Sequence, residues 1–142
     1  SYNETYFNAH KSEWVDDNER LKPKYDAATQ IMGSEWRMPT ETECQELYNN
    51  TNHEWITNYN GTGINGRKFT SKTDTSKYIF IPAAGFCTNG SVNYVDIDGD
   101  VWCSSLDPSH PDYAWSLCFN SGVCCMGYAY RYDGRVVRGV MK

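Results

Sequence analysis

Trp36-Arg37-Met38-Pro39-Thr40-Glu41-Thr42-Glu43 is the stretch whose reading decides the fold. Thr40 is a good helix N-cap, and Glu43 stands three residues on, which makes a capping box. The box predicts a helix from about Glu41 to Asn49, with Cys44, Leu47 and Tyr48 on its inner face. Upstream, Asp26 to Met32 reads as a shorter helix closed by Gly33. The first 24 residues are polar and irregular, with the charge run Asp16-Asp17-Asn18-Glu19-Arg20 followed by Pro23. They are expected to form an extended N-terminal arm (1–24) ahead of one domain over 25–142.

Downstream of the box the texture changes to strands and turns. Glu54 to Tyr59 is aromatic and β-branched, and Asn60-Gly61 and Asn65-Gly66 are turn signals. Arg67 to Thr70 reads as a returning strand. Lys77-Tyr78-Ile79-Phe80-Ile81-Pro82 is the most apolar segment and predicts a central strand. Short strands are expected at Val101–Ser105, Tyr113–Phe119, Cys124–Tyr132 and Arg135–Val140. Turns at Asn120-Ser121-Gly122 and Asp133-Gly134 join the later ones, and Asp107-Pro108 through Pro111 reads as a loop. Two short helices followed by antiparallel strands make an α+β layout with long loops. No internal repeat or low-complexity segment interrupts it.

The 142 residues suit one domain with its own core. Aromatics make up 15 % of the chain, carried by 11 Tyr, 5 Trp and 5 Phe. Tyr and Trp pair an apolar face with a polar handle, which suits half-buried strands and binding surfaces alike. The net charge of −5 comes with no basic run, which argues against nucleic acid as partner. No apolar stretch approaches the roughly 20 residues that cross a bilayer, so no membrane insertion is expected. Ser1 is not an initiator methionine, which reads as a trimmed or mature chain. Cysteines stand at 44, 87, 103, 118, 124 and 125, without zinc-type spacing. Their even number permits a disulfide framework, and burial as free thiols is equally open.

Several segments together resemble the domain family named after the Fibrobacter succinogenes major paralogous proteins. They are Trp36-Arg37-Met38-Pro39-Thr40 with its Glu-rich helix, Ile81-Pro82-Ala83-Ala84-Gly85-Phe86, Trp102-Cys103-Ser104-Ser105, Phe119-Asn120-Ser121-Gly122, and Arg131-Tyr132-Asp133-Gly134-Arg135-Val136-Val137-Arg138. Cys103 departs from the family's Ser, and Gly139 stands where the family usually has Pro. The resemblance covers roughly residues 25 to 140. It implies a C-type-lectin-like fold, two short helices and a twisted antiparallel sheet, shared with formylglycine-generating enzyme. It also implies a secreted or cell-surface setting in a bacterium or phage. A narrower relative is the variable protein of diversity-generating retroelements, which displays hypervariable side chains near its C-terminus as a ligand-binding face.

On that reading Asp100, Val101, Cys103, Cys118, Val123, Cys124, Cys125, Gly127, Ala129, Asp133 and Val136 stand where the family often carries Asn, Tyr or Ser. With Asp96, Asp98 and Tyr132 they form the expected ligand-binding set, for a protein or a surface glycan. Tyr128, Tyr130 and Tyr132 alternate along one strand and share a face, expected to be partly exposed. Asp96-Ile97-Asp98-Gly99-Asp100, with Asp107, has the oxygen spacing of a calcium loop. Val101 at its sixth position and Asp107 at its twelfth depart from the EF-hand pattern, and a polar turn is the simpler account. No metal, cofactor or catalytic residue is expected. The alternatives are a formylglycine-generating-type enzyme using Cys124-Cys125, and an adhesin-type domain without a selected ligand. Cys124-Cys125 has no His near it in sequence to activate a thiol.

Overall fold

The computed structural model describes residues 4–110 and 112–142. Three helices come first: α1 (Glu4–Trp14), α2 (Ala27–Met32) and α3 (Glu41–Asn50), with the short strand β1 (Trp36–Arg37) before α3. Nine strands follow: β2 (Thr51–Ile56), β3 (Gly66–Ser71), β4 (Tyr78–Pro82), β5 (Phe86–Thr88), β6 (Ser91–Asn93), β7 (Gly99–Leu106), β8 (Tyr113–Phe119), β9 (Cys124–Tyr130) and β10 (Val140–Met141). They make antiparallel sheets ordered β2-β3-β4, β7-β8-β9, β5-β6 and β1-β10. The architecture is α+β.

The capping box is present in full: the Thr40 hydroxyl accepts from the Glu43 N–H, and the Glu43 carboxylate accepts from the Thr40 N–H. Arg37 grips the same carboxylate with two 2.6 Å hydrogen bonds, the bidentate geometry that suits guanidinium. Asp26 caps α2 through the Thr29 N–H and also accepts from the Met38 N–H at 2.8 Å. One buried carboxylate thus fixes both the first helix of the pair and the approach to the second. The Arg37 contact, opposed by partial burial, holds the Glu43 carboxyl down at about 2 against an ordinary 4.5. A lowered carboxylate adds stability that is whole above its unfolded pKa and drains as pH falls through the folded one. Glu43→Ala is therefore expected to cost about 1–2 kcal/mol at pH 7, the pair being partly solvent-screened. The cost should fade in urea titrations between pH 4.5 and about 2. A cost unchanged across that range would be the contrary result.

The main core lies between α3 and two sheets. Cys44 from α3, Phe69, Ile81, Ala83, Val101, Cys103, Leu117 and Phe119 are buried together, with Leu47, Tyr48, Trp55 and Met126 packed around them. A second, smaller cluster joins Phe7, Val15 and Leu106, flanked by Trp14 and Leu21.

Three expectations need correction. Residues 135–139 form no strand: Val136 makes an isolated bridge to Val101, and β10 begins at Val140. The N-terminal arm is not extended: from Glu4 it is an eleven-residue helix, its residues 1–3 lying outside the described residues. Phe7 and Val15 drive it onto Leu106 of β7, a tertiary contact that overrides the weak helix preference of Asn, His and Ser. The apolar segment at 78–82 is an edge strand, and β3 with its Arg67 and Lys68 is central. Pro82 lacks a donor, and an edge tolerates it.

Candidate functional site

The β7-β8-β9 sheet carries the candidate site, and its register explains what each face does. Val101, Leu117 and Met126 align across the strands, as do Gly99, Phe119 and Cys124. These residues face α3. Side chains alternate between faces, so the same face continues along β8 and β9 through Trp115 opposite Tyr128 and Tyr113 opposite Tyr130. There the face runs past the buried core. Tyr128 is 53 % exposed and Tyr132, just beyond the strand, 74 %. The rings form a ladder: Tyr113 stacks on Tyr130 at 4.4 Å, Tyr130 on Tyr132 at 4.8 Å, and Tyr128 meets both Tyr113 and Trp115 edge-on. His110 stacks on Tyr128 at 5.8 Å from the loop before β8. A hydrogen bond to Tyr130 pushes the Tyr113 hydroxyl up to about 12, so it stays a neutral donor or acceptor at any physiological pH.

The opposite face is polar. Asp100, Cys118 and Cys125 align, and Trp102, Ser116 and Gly127 form the next row. Arg135 lies over this face, paired with Asp100 and, at 3.3 Å, with Asp133. Its guanidinium sits 4.7 Å from the Phe86 ring and 5.6 Å from that of Trp102. Residue 136 bridges to Val101 in parallel, so the segment after β9 returns along the free edge of β7. Burial pushes the Asp100 carboxyl up, against the pull of Cys118 and Arg135. The Cys118 thiol, hydrogen-bonded to the Ser116 hydroxyl at 3.1 Å, is pushed up to about 12 by burial and then by Asp100. A Cβ on Gly127 would meet its sulfur at 2.9 Å, so Gly127 leaves the room that Cys118 fills.

The expected ligand-binding residues divide among three environments. Val123, Cys125 and Tyr132 are exposed, on the loop before β9, on β9 and after it. Asp96, Asp98, Cys118, Cys124, Gly127, Asp133 and Val136 are half-buried. Asp100, Val101, Cys103 and Ala129 are buried. The last four are corrections to an outward-facing reading. Val101 and Cys103 fill the core beneath α3, Asp100 is turned to Arg135, and Ala129 is enclosed opposite Ala114. Spacing along a strand does not reveal which face a neighbouring element covers.

The carboxylates of the calcium-like segment do not converge. Asp96 accepts from the Asn65 N–H, Asp100 pairs with Arg135, and Asp107 accepts from the Ser109 N–H beside His110. Asp98 lines a small cleft of about 80 Å³ with Gly99, Cys118, Asn120 and Val123. Among the described residues no three His, Cys, Asp or Glu side chains gather as metal ligands.

Cys124 and Cys125 point to opposite faces. Cys124 lies beside Arg67, yet burial outweighs that cation and pushes its thiol up to about 11. Arg67 is itself buried and ties β3 to the loop before β9 through the Asn120 carbonyl at 2.8 Å. The Asn120 side chain in turn accepts from the Gly122 and Val123 N–H groups at 2.9 Å. That loop is built, and it presents Val123 outward.

Sequence reasoning does not place the ladder members Tyr113, Trp115 and His110 on a binding face, and reads Trp115 as a core tryptophan. The alternation Tyr113-x-Trp115 facing Tyr128-x-Tyr130 across a short turn was the signal for the first two. Among the described residues no helix is long and apolar enough to cross a membrane. Comparison with known proteins returns no match: no family model, no curated protein and no solved structure matches this chain.

Proposed function

We propose that the chain is a ligand-binding display domain of the C-type-lectin-like type, with its binding face on β8, β9 and the loop between them. One observation carries the reading: the core face of β7-β8-β9 continues into an exposed ladder of tyrosines. Exposed stacked aromatics are costly to leave in water and are the side chains most enriched in binding hot spots. Tyr gives rigid contact area with little entropy to lose. The rings stack on one another and offer edges and hydroxyls more than free faces, which favours a protein partner over a glycan. Val123 and Cys125 are also exposed, at the other end of these strands, with Cys125 on the opposite, polar face.

The motifs at 36–40, 81–86 and 131–138 support membership of the Fibrobacter-type family and a secreted or cell-surface setting in a bacterium or phage. The mixed residue types at exposed positions support the variable-protein reading. A buried frame under a tolerant rim lets partner choice change while the fold persists. The net charge of −5 speaks against nucleic acid. The divergence of Cys124 and Cys125, with burial holding Cys124 protonated, speaks against a formylglycine-generating-type enzyme. The ladder speaks against an adhesin domain without a ligand.

The test uses the domain against a panel of cell-surface proteins and an array of glycans, beside the triple variant Tyr128→Ala, Tyr130→Ala, Tyr132→Ala. A protein ligand should bind at least about thirtyfold more weakly to the variant, by roughly 2 kcal/mol or more across three ring truncations. The variant's melting temperature should stay within a few degrees, its positions being exposed. Binding that ignores the ladder would overturn the proposal. Sequencing the neighbouring DNA for a template repeat and a reverse transcriptase tests the retroelement reading separately.

A further inference from the structure

Cys44 is the one cysteine on the helical side of the molecule; the other five lie between residues 87 and 125. Its side chain enters the main core from α3, and Cys103 enters the same core from β7. Both are almost wholly enclosed, at 3 % and 2 % exposure. Helix α3 packs against β7 there, and the two thiols lie close enough for Cys44 to oppose ionisation of Cys103. A disulfide needs two such neighbouring sulfurs to close to roughly 2.05 Å. The other cysteines are engaged elsewhere: Cys87 on the β5-β6 hairpin beside Gly134, Cys118 with Ser116, Cys124 beside Arg67, and Cys125 in solvent.

We propose that Cys44 and Cys103 are a disulfide-forming pair, joined when the chain folds in an oxidising setting, so that α3 is fastened covalently to β7. The oxidant is a low-molecular-weight disulfide such as oxidised glutathione. The Cys44 thiol gives up its proton, and the thiolate attacks one sulfur of the small disulfide, releasing one thiolate. The Cys103 thiolate then attacks the Cys44 sulfur of that mixed disulfide and releases the second. Two electrons pass from the protein to the small disulfide, and the two protons end on its two released thiols. Contact with the other thiol and burial hold the Cys103 thiol protonated once the core has closed, so the bond forms while the core is still assembling. Cross-linking residues 44 and 103 closes a long loop, the arrangement that most restricts the unfolded chain. The bond ties down the same helix that the capping box and Arg37 orient.

Two samples of the full chain decide it, one refolded in a mixture of reduced and oxidised glutathione and one refolded with reductant alone. Each is alkylated under denaturing conditions, weighed intact and mapped by peptides. The oxidised sample should be lighter by about 2 Da before alkylation, carry two fewer alkyl groups, and yield one linked peptide pair joining Cys44 to Cys103. Its melting temperature should lie on the order of 10 °C above that of the reduced sample. Cys44→Ser and Cys103→Ser should each abolish that gap. Full alkylation of all six cysteines in the oxidised sample would overturn the proposal, as would a principal linkage between other residues, such as Cys118 with Cys125. The peptide map of the unmodified chain gives the answer even where a serine variant fails to fold.

Discussion

Arg135→Ala is expected to lower the unfolding free energy by about 3–5 kcal/mol, the scale seen when one partner of a buried ion pair is removed. The guanidinium is 11 % exposed and stands between Asp100 at 7 % and Asp133 at 11 %. Without it two enclosed carboxylates lose their counter-charge, and the Phe86 and Trp102 rings lose the group packed against them. The sign of the pH dependence follows from Asp100, whose carboxyl is already pushed up by burial. A carboxyl raised in the folded state favours folding where it is protonated, and that benefit is lost as pH rises through its folded pKa. Deleting Arg135 removes an opposing pull and raises it further. The gap between variant and parent should therefore narrow as pH falls from 7 toward 4. Asp100→Asn in the Arg135→Ala background should recover part of the loss at pH 7. Urea titration of the three proteins reads all of this. A loss under 1 kcal/mol, or a gap that widens on acidification, would contradict the account.

Gly85→Ala is expected to cost about 3 kcal/mol or more, against about 1 kcal/mol for Gly90→Ala. Both glycines have left-handed backbones, at φ 67° and 77°. A methyl group on Gly90 meets open space, so only the backbone penalty applies. A methyl on Gly85 meets the Asn93 carbonyl oxygen, the Val95 nitrogen at 2.8 Å and the Tyr94 carbonyl carbon at 2.9 Å. Those atoms are main chain and cannot rotate away. Main-chain bonds beside them hold the crossing: the Gly85 N–H donates to the Asp98 carbonyl at 2.8 Å and the Asp96 N–H to the Ala83 carbonyl at 2.7 Å. The melting temperature should fall on the order of 10 °C for Gly85→Ala and a few degrees for Gly90→Ala. Equal shifts would show that the close approach does not matter.

The elements around 26–50 were legible in the residues themselves because their signals are local. Asp26, Gly33, Thr40 and Glu43 cap within four residues of what they cap. Strands at 66–71, 113–119 and 124–130 followed from alternation and turn chemistry. The β5-β6 hairpin passed unremarked although Asn89-Gly90, both left-handed, is the usual two-residue turn. Helix α1 was illegible because its reason lies near Leu106, far along the chain. The site was half legible. Tyr128, Tyr130 and Tyr132 announced a shared face, and the structure leaves all three exposed. The burial of Val101 and Cys103 depends on where α3 lands, and no pattern within β7 records that.

Strand β1 inside the deciding motif has its ladder partner in β10, Trp36 facing Met141 and Arg37 facing Val140. During synthesis the ribosome must therefore deliver about a hundred further residues before that edge is closed. Until then the Glu35 carbonyl, which accepts from the Lys142 N–H, waits for its partner, and the return of residue 136 to β7 is equally delayed. Maturation of this molecule is consequently a late, whole-chain event with a slow, long-range closing step, and a nascent chain stalled before residue 136 should remain open to proteases.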